Sequence, residues 1–231
     1  MIYRRAVFAA LSSTLVAAAD MKGQSFNAKA VLTLAKVILK PSLAVPHMAV
    51  PHIGHVDFQA LRNMGVKGVV FDKDNTLTAP YIDKVHDAVK EGFNRCTTEF
   101  EGMCCIMSNS AGTADDVGYK MAERIERSIG IPVVRHAVKK PGGLEEVLQF
   151  FSEQSGEEVR SEELCVIGDR LLTDVVFGNL YGMVTVHTQP LTLAGDNKVA
   201  MVARYVEQGV WGSLLHKRLG VEAPPRHKPT L

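Results

Sequence analysis

Asp72 and Asp74 stand two residues apart, directly after the apolar run Val69, Val70 and Phe71, in VVFDKDNTLTAP. An apolar run that ends on two carboxylates reads as a buried β-strand with negative charge at its tip. Other apolar runs end in the same way. Ser108 and Asn109 follow one in IMSNS, Lys139 and Lys140 follow another in VKKPGG, and Asp169 and Asp174 follow a third in GDRLLTD. In an open α/β sheet, ligands bind beyond the carboxyl ends of the strands, where all these residues fall. Carboxylates converging there would repel one another unless a hard divalent cation sat between them. Mg²⁺, which takes few carboxylates and keeps several waters, suits the task. A lysine and a hydroxyl opposite such a metal form a cradle for a phosphoryl group. The residue types describe a phosphoryl-transfer site.

Taken singly, each residue has a plainer reading. Ser108 alone is a turn residue, Lys140 a solvated lysine at a helix start, and Asp169 a helix cap. Asp174 alone is an acid in a first helical turn. Residues 72–83 place acids or hydroxyls at several positions of a calcium loop. However, Leu77 stands where that loop needs glycine, and the preceding run is strand-like. The ordered set, rather than any member, carries the reading.

The elements that must position this set follow from periodicity. From Val66 onward, strand-like segments near 66–71, 103–107, 132–135, 164–167 and 183–187 alternate with helical ones. The helices are expected at 83–99, 113–129 (capped by Thr113 and closed at Gly130), 142–153 and 172–181. That is the pattern of an α/β fold with a parallel central sheet flanked by helices. Residues 56–195 form the expected domain. Before it, 1–25 read as a targeting segment, with Arg4 and Arg5 but no acid in the first nineteen residues. A mitochondrial or plastid transit peptide and a secretory signal both fit this composition. Residues 26–55 read as an apolar helix with a basic edge (Lys29, Lys36, Lys40) and a Pro-rich connector. Residues 196–231 read as a C-terminal helix and basic tail. The four cysteines show neither a CxxC pair nor a disulfide pattern and read as buried thiols. The formal net charge of +1 argues against a nucleic-acid binder held by phosphate contacts.

DKDNT resembles the first motif, DxDxT, of the haloacid dehalogenase superfamily, and Ser108, Lys140 and GDRLLTD resemble its other three in order. The resemblance implies a Rossmann-like fold with Asp72 as nucleophile and Asp74 as general acid and base. Ser108 and Lys140 would hold the phosphoryl group. Asp72, Asp74 (through its carbonyl), Asp169 and Asp174 would bind Mg²⁺. The intervals 75–108 and 141–168 leave no room for the cap domain of many members, so the site should be open and suited to a large substrate. KPSLAVPH, GVVFDKDNTLTAPY, SNSAG, VVRHAVKKPGG and GDRLLTDVVFGNLYGM further resemble the mitochondrial and plastid phosphatidylglycerophosphatases. That likeness implies a phospholipid substrate at a membrane surface and a place on the mitochondrial inner membrane, or in a plastid. Asn109, Lys73, Lys139, Arg170 and Arg135 are then candidates to bind substrate, with His136 as either a ligand or a packed surface histidine. Residues 26–40 and 206–218 (with Trp211) are candidate membrane contacts. A phosphatase for another phosphomonoester and a non-catalytic lipid-binding scaffold are the competing readings. The intact pair of Asp72 and Asp74 speaks against the scaffold.

Overall fold

Five short strands, Met48–Val50 (β1), Gly68–Phe71 (β2), Cys104–Ile106 (β3), Leu164–Gly168 (β4) and Val184–Thr188 (β5), pair in parallel in the order β1-β5-β4-β2-β3. The structure, a computed structural model, describes residues 36–37, 39–192 and 220–225. The expected segments at 1–25 and 206–218, and most of that at 26–40, lie outside them.

Every residue of β2, β3 and β4 is buried, as befits strands covered on both faces. Successive side chains point to opposite faces and feed two cores. Val69, Phe71, Cys104, Ile106, Cys165 and Ile167 pack with helices Phe58–Asn63 (α1), Asp87–Glu99 (α2) and Lys120–Ile129 (α3). Val70, Cys105, Met107, Leu164 and Val166 pack with Leu144–Ser155 (α4) and Val176–Leu180 (α5). All four cysteines are buried and free, as their spacing suggested. Among the described residues, no helix is long and apolar enough to cross a membrane.

Three local expectations are corrected. Residues 132–135 do not form a sheet strand; Val133 makes a single bridge to Ile106. The ladder stops there because Pro132 has no N–H to give and the N–H of His136 goes to the Gly112 carbonyl at 2.8 Å. Conversely, the Pro-rich connector supplies β1, which pairs with β5 at the sheet edge, where prolines at 46 and 51 can flank a strand. The helix expected from 113 begins at Lys120, because Gly118 and Tyr119 take left-handed conformations just before it. Thr113 is buried and takes no part in its cap. Instead Asp116 accepts from the N–H groups of Gly112, Met121 and Ala122 at 2.9–3.0 Å.

The N-terminal segment is fastened by Asn179 of α5, whose amide donates to the carbonyls of Leu43 and Val45 at 2.9 and 2.8 Å. Its Oδ1 accepts from Thr185 of β5. A buried amide satisfied on both sides is costly to replace, and here it locks residues 41–45 beneath the sheet edge that carries β1.

Candidate active site

The three central strands end side by side. Asp72 continues the ladder past β2 by donating its N–H to Ile167 of β4 at 2.9 Å, and Met107 does the same from the end of β3 to Phe71. The carboxylate of Asp72 and the residues just beyond β4 therefore meet at the carboxyl ends of the strands. Carboxylate oxygens of Asp72, Asp169 and Asp174 lie within 4.8 Å of one another there. Lys140 reaches this cluster from the loop before α4, its side chain 1% exposed, and donates to Asp72 Oδ1 at 2.7 Å and Asp174 Oδ1 at 2.5 Å.

The electrostatics follow from burial and this pairing. Burial pushes the Asp72 carboxyl above its usual range; the Lys140 ammonium opposes that, and the neighbouring Asp174 adds to it. Burial alone would lower Lys140, but Asp174 and Asp72 outweigh it and hold the ammonium above its ordinary value. Three carboxylates still face one ammonium, with the Arg170 charge alongside, which leaves net negative charge in a nearly dry place. Oxygen donors at this spacing with excess negative charge fit a hard divalent cation.

Local sequence explains the positions. Asp174 lies in a π-helical turn, Leu171–Val175, that starts α5, and its Oδ2 accepts from the Arg170 N–H at 3.2 Å. Gly168 makes room for it, since a Cβ there would sit 2.4 Å from the Asp174 carboxyl. Asp169 is held through its carbonyl, which accepts from His187 Nε2 at 3.0 Å. Burial lowers His187 to about 4, so the ring is neutral, and a carbonyl partner places its one hydrogen on Nε2. Ser108 is 2% exposed, and its Oγ accepts from the Ser110 N–H at 3.2 Å and pairs with Ser110 Oγ at 3.0 Å.

The remaining sequence candidates divide. The Arg170 charge acts on Asp72, and the backbone N–H of Arg170 is bonded to Asp174. Asn109 braces it, its Oδ1 accepting the Lys140 N–H at 2.7 Å and so joining the loops after β3 and before α4. Asp74 stands at the edge, its side chain 36% exposed, and pairs with Lys73 at 2.8 Å. Lys73 itself is buried, with Asp83 at 3.5 Å as second partner. Lys139 turns outward to Asp115 at 2.6 Å. Arg135 is spent on Glu126 and on the Val133 carbonyl. His136 is neither a surface residue nor turned outward: it is buried, with Nδ1 against the Val134 carbonyl at 3.0 Å. The structure thus brings Asp72, Lys140, Asp169 and Asp174 together, with Asn109 bracing Lys140 and the Arg170 charge acting on Asp72; Ser108 follows β3 and pairs with Ser110, Asp74 is partly exposed beside buried Lys73, and Lys139 and Arg135 hold loops.

Sequence reasoning missed Asn75 and His187. Asn75 is fully buried at φ 64°, accepts from Leu191 through its carbonyl and from Thr192 at 3.1 Å through Oδ1, and so pins the turn after Asp74 to the segment after β5. Its signal was an asparagine just past a strand, a residue type that tolerates the left-handed region. The signal for His187 was one polar residue inside the apolar strand VTVHT.

Residues 28–192 match the profile of a family described as mitochondrial PGP phosphatase. The chain is 43% identical over 169 residues to the chloroplastic phosphatidylglycerophosphate phosphatase 1 of Chlamydomonas reinhardtii, covering 72% of this chain and 61% of that one. It is 38% identical over 207 residues to the chloroplastic/mitochondrial phosphatidylglycerophosphate phosphatase 1 of Arabidopsis thaliana, covering 87% and 58%. It is 35% identical over 146 residues to the mitochondrial phosphatidylglycerophosphatase GEP4 of Saccharomyces cerevisiae, covering 63% and 75%. The match thus spans less than two thirds of the algal and plant relatives. No solved structure matches the chain.

Proposed function

The chain belongs to the mitochondrial PGP phosphatase family, and on that premise we propose that it hydrolyses the terminal phosphomonoester of phosphatidylglycerophosphate to give phosphatidylglycerol. The observation that carries the reading is Lys140, buried between the carboxylates of Asp72 and Asp174 where β2 and β4 end. An ammonium so placed can neutralise a phosphoryl group that approaches Asp72.

In the proposed reaction an Asp72 oxygen forms a bond to phosphorus while the bond from phosphorus to the glycerol oxygen breaks. Asp74 gives that oxygen its proton. Asp74 then takes a proton from water, which attacks the aspartyl-phosphate and releases inorganic phosphate and Asp72. Lys140 and the Ser108 hydroxyl stabilise the charge on the phosphoryl oxygens. Asp72, Asp169, Asp174 and the Asp74 carbonyl would hold Mg²⁺, which when bound supplies Lewis-acid neutralisation of phosphoryl charge. Asn109 fixes the Lys140 loop, and Arg170 is the cation best placed for the phosphodiester of the same lipid. The names of the relatives support work in a mitochondrion, or in a plastid, and we place the protein peripherally on the inner membrane.

The test is phosphate release from phosphatidylglycerophosphate in mixed micelles with Mg²⁺, beside glycerol 3-phosphate, phosphatidic acid and a phosphopeptide. Preference for the first, lost with EDTA and restored by Mg²⁺, is expected. Preference for a soluble substrate would overturn the lipid assignment, and activity that survives EDTA would overturn the metal.

A further inference from the structure

Asp74, the residue assigned both proton transfers, is bonded by a neighbour in sequence. Its Oδ1 accepts from Lys73 Nζ at 2.8 Å, and among the described residues Lys73 is its one ion-pair partner. The backbone beneath is fixed by a tight turn. The Lys73 carbonyl accepts from the N–H groups of Leu77 and Thr78 at 2.9 and 3.0 Å, and the Asn75 N–H donates to the Thr78 carbonyl at 2.7 Å. The turn does not fix the side chain of Asp74, which is partly exposed and free to change rotamer unless something holds it.

Anchoring a loop does not account for Lys73. Its side chain is only 4% exposed, and an ammonium taken out of water needs close partners to offset the hydration it gives up. Asp83, the acid that would make it a loop clamp, lies at 3.5 Å, farther away than Asp74. Asp83 is in any case already fastened to α3, where Arg124 Nε donates to its Oδ2 at 2.6 Å, so residues 72–86 are tied down without Lys73. The other oxygen of Asp83, Oδ1, is the one that faces Lys73. Arg124, Asp83 and Lys73 thus form a chain of alternating charge that starts on a helix and ends on Asp74.

We propose that Lys73 is a positioning residue for Asp74, an inference that rests on the reaction proposed above. Lys73 holds Oδ1 and leaves Oδ2 as the atom that handles the proton. In the first step Oδ2 gives its proton to the glycerol oxygen as the bond from phosphorus to that oxygen breaks. In the second step Oδ2 takes a proton from the water that attacks the aspartyl-phosphate. Lys73 keeps its own protons throughout and touches no substrate. A general acid acts only from within about 2.6–3.2 Å of the oxygen it serves, so a carboxyl group held in one orientation is what both steps require.

The test uses the full chain and compares leaving groups, because an alkoxide needs a proton as it departs and p-nitrophenolate does not. Comparing kcat/KM for two substrates on one preparation cancels any loss of folded protein. Lys73→Met should lower kcat/KM for phosphatidylglycerophosphate in mixed micelles at least about tenfold more than for p-nitrophenyl phosphate. Glycerol 3-phosphate, a second alkyl ester, should show the same bias without lipid. Asp74→Asn should show it too, and Lys73→Met added to Asp74→Asn should lower kcat/KM for the alkyl esters by less than about threefold. Equal losses on alkyl and aryl esters, or a further loss of about tenfold in the Asp74→Asn background, would overturn the inference, since a residue that only supports the fold gives either result. If Lys73→Met does not fold, Lys73→Gln, uncharged and one atom shorter, is read in the same way. Asp83→Asn keeps the bond from Lys73 to Asp74 and should leave the ratio of the two substrates within about twofold of native. A bias in Asp83→Asn as large as in Lys73→Met would make Lys73 a loop clamp and overturn its role. Asp74→Asn without the bias would overturn Asp74 as the acid, and with it the reaction above, whereas a bias in Asp74→Asn that Lys73→Met lacks would overturn Lys73 alone.

Discussion

Replacing Lys140 by methionine removes the one ammonium bonded to two carboxylates of the cluster while keeping most of its volume. At an effective dielectric of about 20, the Lys140–Asp72 pair at 2.7 Å is worth about 6 kcal/mol, and the contact to Asp174 adds to it. Several kcal/mol are offset by the hydration the buried ammonium gives up, so the expected net loss of stability is about 3–5 kcal/mol. The sign of the pH dependence is fixed by the same geometry. Burial already holds Asp72 above its ordinary range, and Lys140 is the main influence pulling it down. Without Lys140 it rises further, the folded state binds more protons than the unfolded one, and stability falls as pH rises. Urea unfolding followed by circular dichroism, with EDTA present to exclude metal, should show the full loss near pH 7.5 and a smaller one near pH 5.5. A loss under about 1 kcal/mol near pH 7.5, or a larger loss in acid, would refute the view that Lys140 is the counter-charge of this cluster.

Other substitutions probe separate links. Asp72→Asn should abolish turnover while the chain still folds, and residual activity above about 1% would remove Asp72 as nucleophile. Gly168→Ala drives a Cβ to within 2.4 Å of the Asp174 carboxyl. It should cut turnover at least tenfold and raise the Mg²⁺ needed for half-activity, as steady-state rates against Mg²⁺ would show. Asp116→Ala should cost about 1–2 kcal/mol by leaving the start of α3 uncapped. Burial pushes Asp116 up, but N–H groups of Gly112, Met121 and Ala122 outweigh it and hold the carboxyl below its usual range. Its contribution is therefore present above the unfolded carboxylate range and lost as pH falls through the lower folded value. Acid unfolding of Asp116→Ala should lack that part of the native decline.

Much of the site was legible because its residues obey a local rule. Apolar runs become buried strands, and polar residues directly after them must emerge at the strand ends, so Asp72, Ser108 and Asp169 could be placed before any contact was known. The missed strand β1 has three residues between prolines and owes its existence to β5, its partner far along the chain. The spurious strand at 132–135 has strand-like residues, but Pro132 has no N–H for the ladder and the N–H of His136 goes to the Gly112 carbonyl.

Side-chain partnerships were the least legible part. Lys73, Lys139 and Arg135 are the right type beside the right motifs, yet each has gone to a carboxylate that chain folding brought within reach: Asp74 and Asp83, Asp115, and Glu126. A cation on a long flexible stem pairs with whichever acid arrives, and neighbours in sequence do not choose that acid. The sequence by itself determined the chemistry: which residues could attack, donate, neutralise and bind a cation, and that they emerge at strand ends, since hydrophobic burial acts locally along the chain. Only the tertiary structure decided the strand order, the loops that meet, the glycine that admits Asp174 and the histidine that holds Asp169. All but the glycine, which is six residues from Asp174, depend on contacts between residues distant in sequence, set by how the two faces of the sheet are covered.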